Sequence, residues 1–177
     1  GGIDPVVTWS YSYRPEIWPA VVTLGLVAYL GCYAWRRRRI AGATPFAIGC
    51  ALGGFWILGV ILEISAVSVP AQIFWNTYQA LWQLPMAATM TCFILQFAGL
   101  DRWLKLRTYA LLFLIPLLNA VAIATNSVHH LVWTGFQLNG HLVPLHGRLF
   151  WFFNGYVYLL GLLNLSVLVW LAMRSPR

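Results

Sequence analysis

Long apolar runs broken by short polar clusters set the pattern of this chain. The runs cover residues 17–35, 44–67, 73–98, 108–124 and 149–173. A transmembrane helix needs about 20 mostly apolar residues, and each run approaches or exceeds that length, with 108–124 the shortest. Within lipid a helix satisfies its own backbone, whereas an isolated strand cannot. The pattern therefore predicts an all-α integral membrane helical bundle of five transmembrane helices, forming a single transmembrane domain over residues 1–177. Residues 125–147 are left as a long connection between the last two helices, while Ser65 to Pro70 makes a tight turn between the second and third.

Composition strengthens this reading. Of 177 residues, 60% are hydrophobic and only 8% charged, whereas about a quarter of a soluble domain's residues are charged. So few charges cannot give a chain of this size a water-compatible surface, and lipid must be the solvent for most of it. The net charge of +7 does not point to nucleic acid, because the basic residues sit in short clusters between apolar runs. Arg36 to Arg39 follow the first helix, Arg102, Lys105 and Arg107 the third, and Arg174 and Arg177 the fifth, with only Arg14 and Arg148 on the other side. The positive-inside rule then puts the N-terminus and the long connection outside and the C-terminus in the cytoplasm. Cys32, Cys50 and Cys92 lie in or beside apolar runs without metal-ligand spacing, so they read as small hydrophobes rather than a disulfide framework or zinc site. The opening "GGIDPVV" lacks the charged-then-apolar pattern of a cleavable presequence.

Polar residues inside the runs are the candidates for function, because they are costly in lipid. Glu63 is the only carboxylate inside one; it reads either as a ligand contact or proton sensor, or as a bundle hydrogen bond or a carboxylate reaching interfacial water. Gln72, Asn76, Gln79 and Gln83 are spaced four, three and four apart, which stacks them on one helical face. Such a stripe either ties helices together or lines a wet cavity, and Pro85 one turn on is placed to kink the helix beside it. Asn154, Tyr158 and Gly161 form a second polar and small face. If the two faces meet, they enclose a pocket walled by Trp75, Tyr78, Trp82, Trp151 and Tyr158. The candidate ligand-binding residues are thus Glu63, Trp75, Gln79, Gln83, Trp151, Asn154 and Tyr158.

All four histidines, His129, His130, His141 and His146, lie in the long connection. Adjacent His129 and His130 would point about 100° apart on a regular helix, so they cannot both face one ion. Ligation by one of them with His141 or His146 stays open, but no metal site is predicted. No nucleophile–base pair, paired carboxylates or phosphate loop accompanies them, so the chain is expected not to be an enzyme. Thr125 and Asn126 are expected to satisfy carbonyls freed at a helix end, His129 to pack on or hydrogen-bond the connection, and Trp133 to anchor it at the membrane interface.

The run "TNSVHHLVW" resembles the Thr-Asn-x-x-His-x-Leu-[Ile/Val]-Trp signature of the seven-helix N-terminal sensor region of bacterial histidine kinases. "YAWRRRR" with "GATPFAIGCALGGFWILGVILE" resembles that family's first cytoplasmic turn and second helix. "AQIFWNTYQALWQLPMAATMTCFILQFAGLDRWL" resembles its third helix, and "LHGRLFWFFNGYVYLLGLL" the start of its fifth. Glu63, Phe74, Trp75, Pro85, Pro116, Thr125, Asn126, His129, Leu131, Trp133, Gly147, Phe150 and Trp151 fall on pattern positions, and His130 does not. The resemblance spans Ile17 to Arg177, about the first five helices; the family has two more and normally a cytoplasmic output domain.

The resemblance implies a sensory or receptor module in the bacterial cytoplasmic (inner) membrane, multi-pass, binding a small apolar ligand or sensing the membrane and feeding a two-component output. The alternative is an accessory transmembrane subunit of a larger respiratory or photosynthetic complex, packing on partner subunits and holding lipid, quinone or pigment. No cofactor is expected under the first reading. The expected partners are the bilayer and either other membrane subunits or a homodimer partner, with no nucleic acid.

Overall fold

The computed structural model describes residues 9–138 and 142–174, so His141 and Arg177 lie outside the described residues. Among the described residues, five helices are long and apolar enough to cross a membrane: α1 (Trp18–Arg36), α2 (Ala43–Ser65), α3 (Val69–Phe97), α4 (Leu106–Ala124) and, after the long connection, α6 (Arg148–Arg174). Each agrees with the expected run to within a few residues. Proline lies in the first turn of α1 and of α3, where its missing N–H has no intrahelical partner to lose.

The connection is more ordered than its length suggested. It holds one helical turn, α5 (Asn126–His129), and an antiparallel hairpin of β1 (Trp133–Leu138) with β2 (Leu142–His146). Pairing runs from Leu138 opposite Leu142 to Trp133 opposite His146, with an irregularity between Trp133 and Gly135. The connection expected over 125–147 thus carries a helical turn and a paired hairpin within its described residues. Ahead of α1, the segment near Tyr11 forms a single β-bridge to Ala66, joined by Ser12 N–H to Ser65 O at 2.8 Å and Val67 N–H to Ser10 O at 3.0 Å.

Packing is uneven across the bundle. The α2–α3 interface is the most extensive, followed by α1–α2, while α3 also meets α4 and α6. The shares of the spanning windows buried inside the protein are 39% for α2 and 33% for α3, against 6% for α1 and for α6; α2 and α3 are therefore the spine and α1 and α6 the flanks. Glycines allow the close approach. A Cβ at Gly49 would lie 2.6 Å from Met90 Cε, and one at Gly59 2.6 Å from Gln79 Cγ, so small residues on α2 admit side chains of α3, as membrane helix interfaces generally require. On the other side of α3, Leu84, Ala122, Ile123, Val132, Trp133 and Phe153 form a buried cluster beneath the hairpin.

Candidate functional site

The polar stripe of α3 divides between two neighbours. Its first three residues face the end of α2. Gln72 Nε2 donates to Ala66 O at 3.0 Å, Asn76 Nδ2 to one Glu63 carboxylate oxygen at 3.3 Å, and Gln79 Nε2 to the other. Both oxygens of Glu63 thus accept an amide hydrogen bond from α3, which is how a half-buried carboxylate is retained at low cost in a lipid-facing bundle. Trp75 Nε1 donates to Tyr11 Oη at 3.0 Å, and Trp75, Tyr78 and Trp82 form an edge-to-face ladder continued to Phe55 of α2.

Gln83, one turn beyond Gln79, borders a different space. With Asn119 of α4, Asn154 of α6 and Trp133 of β1 it lines a cavity of about 30 Å³, room for about one water molecule. Asn119 is 4% exposed and donates through Nδ2 to Ala80 O at 3.3 Å. A second tie joins α6 to α4: Tyr156 Oη donates to Leu112 O at 2.6 Å. Pro116 lies four residues after Leu112 within α4 and has no N–H to give that carbonyl, so the tyrosine hydroxyl fills the place of the missing helical bond.

The hairpin is tied down by the residues of the "TNSVHHLVW" run. Asn126 Oδ1 accepts from the N–H groups of Val132 at 2.9 Å and Trp133 at 3.2 Å, while its Nδ2 donates to Trp133 O at 3.0 Å. Thr125 Oγ1 donates to Val121 O at 2.8 Å, a carbonyl in the last turn of α4, and lies 3.2 Å from His129 Nε2. Leu131 N–H donates to His129 Nδ1 at 2.9 Å, which requires that nitrogen to be unprotonated and leaves the ring proton on Nε2, facing Thr125. His130 takes a left-handed conformation (φ 52°) and ends the short helix. Gly147 closes the knot: its N–H reaches Val132 O at 2.8 Å, and a Cβ there would lie 2.1 Å from Leu131 O.

The expected roles therefore shift. Asn126 binds the backbone at the head of the hairpin rather than the carbonyls freed at the end of α4. Trp133 packs inward rather than outward: it is 5% exposed and belongs to the buried cluster, with Asn126 holding its backbone on both sides. Of the seven candidate ligand residues, Glu63 and Gln79 meet each other, with Trp75 nearby on the same helix, and Gln83 and Asn154 share the small cavity. Trp151 and Tyr158 are 65% and 68% exposed and line neither place, so the two polar faces do not meet behind the expected aromatic wall. Sequence reading passed over Asn119 and Tyr156, although an asparagine and a proline inside one apolar run were the available signals. His146 stacks on Phe150 at 3.6 Å, and the hydration it loses there holds its pKa below the usual histidine value. Among the described residues no three His, Cys, Asp or Glu side chains come together to hold a metal.

Five apolar spans, polar ties between neighbouring helices and a locked hairpin define a multi-pass helical membrane protein. Residues 19–177 match the family described as the N-terminal 7TM region of histidine kinase, and the chain belongs to that family. No curated protein matches the chain, and no solved structure does. The family is a membrane sensory region rather than a catalytic domain, and nothing in the comparisons supports the accessory-subunit alternative.

Proposed function

We propose that this region sits in the bacterial cytoplasmic membrane with the hairpin outside, and that it senses the bilayer or a small apolar ligand through a shift of α4, α6 and the hairpin against the α2–α3 spine. The observation that carries the reading is the contrast between the two sides of α3, saturated with hydrogen bonds toward α2 and bordering a water-sized cavity toward α4 and α6. The arginine clusters at the opposite end support the orientation. Gln83 and Asn154 are the candidate polar contacts for a ligand that widens the cavity, with Trp133 above them. Glu63, Gln79 and Trp75 then act as the fixed reference. The exposed flanks of α1 and α6 leave room for a homodimer partner or neighbouring subunits.

Spin labels at Val67→Cys and Val128→Cys, in a chain whose native cysteines are replaced by serine, test the shift. Both positions are exposed, one at the α2–α3 turn and one on the short helix α5. Electron–electron distance distributions in thin and thick bilayers should differ by roughly 1–2 Å, the usual size of a helix shift. Identical distributions in both bilayers would sink the bilayer-sensing form. If added apolar ligands also leave them unchanged, the sensory shift itself fails.

A further inference from the structure

At the end of the bundle away from the hairpin, α1 and α2 enclose an apolar groove that neither the sensory reading nor the polar ties explain. Its volume is about 600 Å³, and its floor is made of small residues, among them Ala28, Gly31, Ala51 and Gly54. A Cβ at Gly31 would lie 3.0 Å from Cys50 Cβ, so the glycine lets the helices close beneath the groove while their larger side chains stand at its sides. Lengthwise it reaches from Leu24 to Arg36 on α1, roughly 18 Å at the helical rise. That is close to the roughly 15 Å depth of one leaflet's hydrocarbon.

The groove opens directly into a basic basin. Trp35 and Arg36 line both, and Arg37, Arg38, Arg39 and Ile40 complete the basin. The guanidinium of Arg37 lies over the Tyr33 ring at 4.7 Å and that of Arg38 over Trp35 at 5.5 Å, which holds both at the level where aromatic side chains meet the interface. Glu16 and Glu63 lie at the far ends of α1 and α2, and Asp101, in the connection between α3 and α4, lines neither the groove nor the basin. A topology signal needs only the positive charge. It does not need a chain-length apolar trough ending among the guanidinium groups.

We infer that this groove and basin form a binding site for an anionic glycerophospholipid, with one acyl chain between α1 and α2 and the phosphate headgroup among Arg36 to Arg39. Arginine suits the second part, because its planar fork pairs with phosphate oxygens two at a time. Basic pockets between transmembrane helices select anionic headgroups on the same ground. The site shares no residue with the cavity beneath the hairpin, so it stands or falls separately from the sensory reading.

Native mass spectrometry of the whole chain, titrated with phosphatidylglycerol or phosphatidylcholine of matched acyl chains, tests the site. The wild type should retain phosphatidylglycerol selectively, and each Arg→Gln change among Arg36 to Arg39 should lower that retention by about fivefold. Ala51→Phe fills the groove and leaves the charges in place, and should abolish most of the selectivity. Equal retention of the two lipids overturns the proposal. So does loss in the arginine variants with full retention in Ala51→Phe, which reduces the effect to surface charge. A phosphatidylglycerol carrying a photoreactive acyl chain needs no variant: cross-links should concentrate on residues 24–36 and 47–58, and even labelling of all the spanning helices overturns the groove.

Discussion

The two sides of α3 are built from the same kinds of residue and reach opposite results. Toward α2, the amides of Asn76 and Gln79 saturate the carboxylate of Glu63, and glycines bring the backbones together. Toward α4 and α6, Asn119 makes one long bond to Ala80 O, and Gln83 and Asn154 border a cavity. The lesson is that a polar residue in lipid stiffens an interface only when its partners are supplied by the facing helix. Where they are not, it leaves room for water and for movement. The hairpin compensates for the looser side from above, through Asn126, His129 and Gly147.

The strongest way to break the comparison is to unlock the hairpin. Gly147→Ala places a Cβ against the Leu131 carbonyl, an overpacking that nothing flexible can relieve, and should destabilise the hairpin end by about 3 kcal/mol. Hydrogen exchange should show residues 124–149 losing protection while α2 and α3 keep theirs; equal loss everywhere would mean that the two sides form one cooperative unit.

A smaller effect sharpens the same contrast. Glu63→Ala leaves two amide groups of α3 without their acceptor and should cost about 2 kcal/mol. Asn119→Ala removes a single long bond and should cost about 1 kcal/mol. Unfolding in matched micelles compares them, and a larger loss for Asn119→Ala would reverse the assignment of tight and loose sides.

The weakest expected effect is on pH. Burial against Phe150 holds the pKa of His146 below its usual value, so in the histidine range the unfolded chain binds more protons than the folded one. Stability is then fully present above the unfolded pKa and declines as pH falls through about 6.5, levelling once the folded group also titrates. Exchange of hairpin amides, corrected for the intrinsic rate, should rise between about pH 7.5 and about pH 5, and His146→Asn should flatten part of that rise. An increase in protection on acidification would contradict the sign.

Much of the architecture was legible because the bilayer is a demanding solvent. Runs of apolar residues long enough to span it leave few alternatives to helices, and the five spans fell close to their expected bounds. The hairpin was missed, although Asn139-Gly140 between two short segments rich in apolar residues is a turn signal. Pro144 in the second segment argues against a central strand and is tolerated at an edge. Gly49 and Gly53, four apart in α2, carried a readable sign of close packing. The Pro116–Tyr156 tie had only half a signature, since a proline announces a free carbonyl but not what fills it.

The sequence by itself determined the solvent, the number of spans and the likeness to a sensory membrane family, because hydropathy and charge act locally and need no knowledge of neighbours. Periodicity placed Gln72, Asn76, Gln79 and Gln83 on one face. Only the tertiary structure decided that the first three lean on α2 while Gln83 borders a cavity, that Trp133 is buried in the protein, and that Trp151 and Tyr158 face outward. Those outcomes depend on which helix stands opposite each face, and helix neighbours in lipid are chosen by shape and hydrogen-bond matching between segments far apart in the chain.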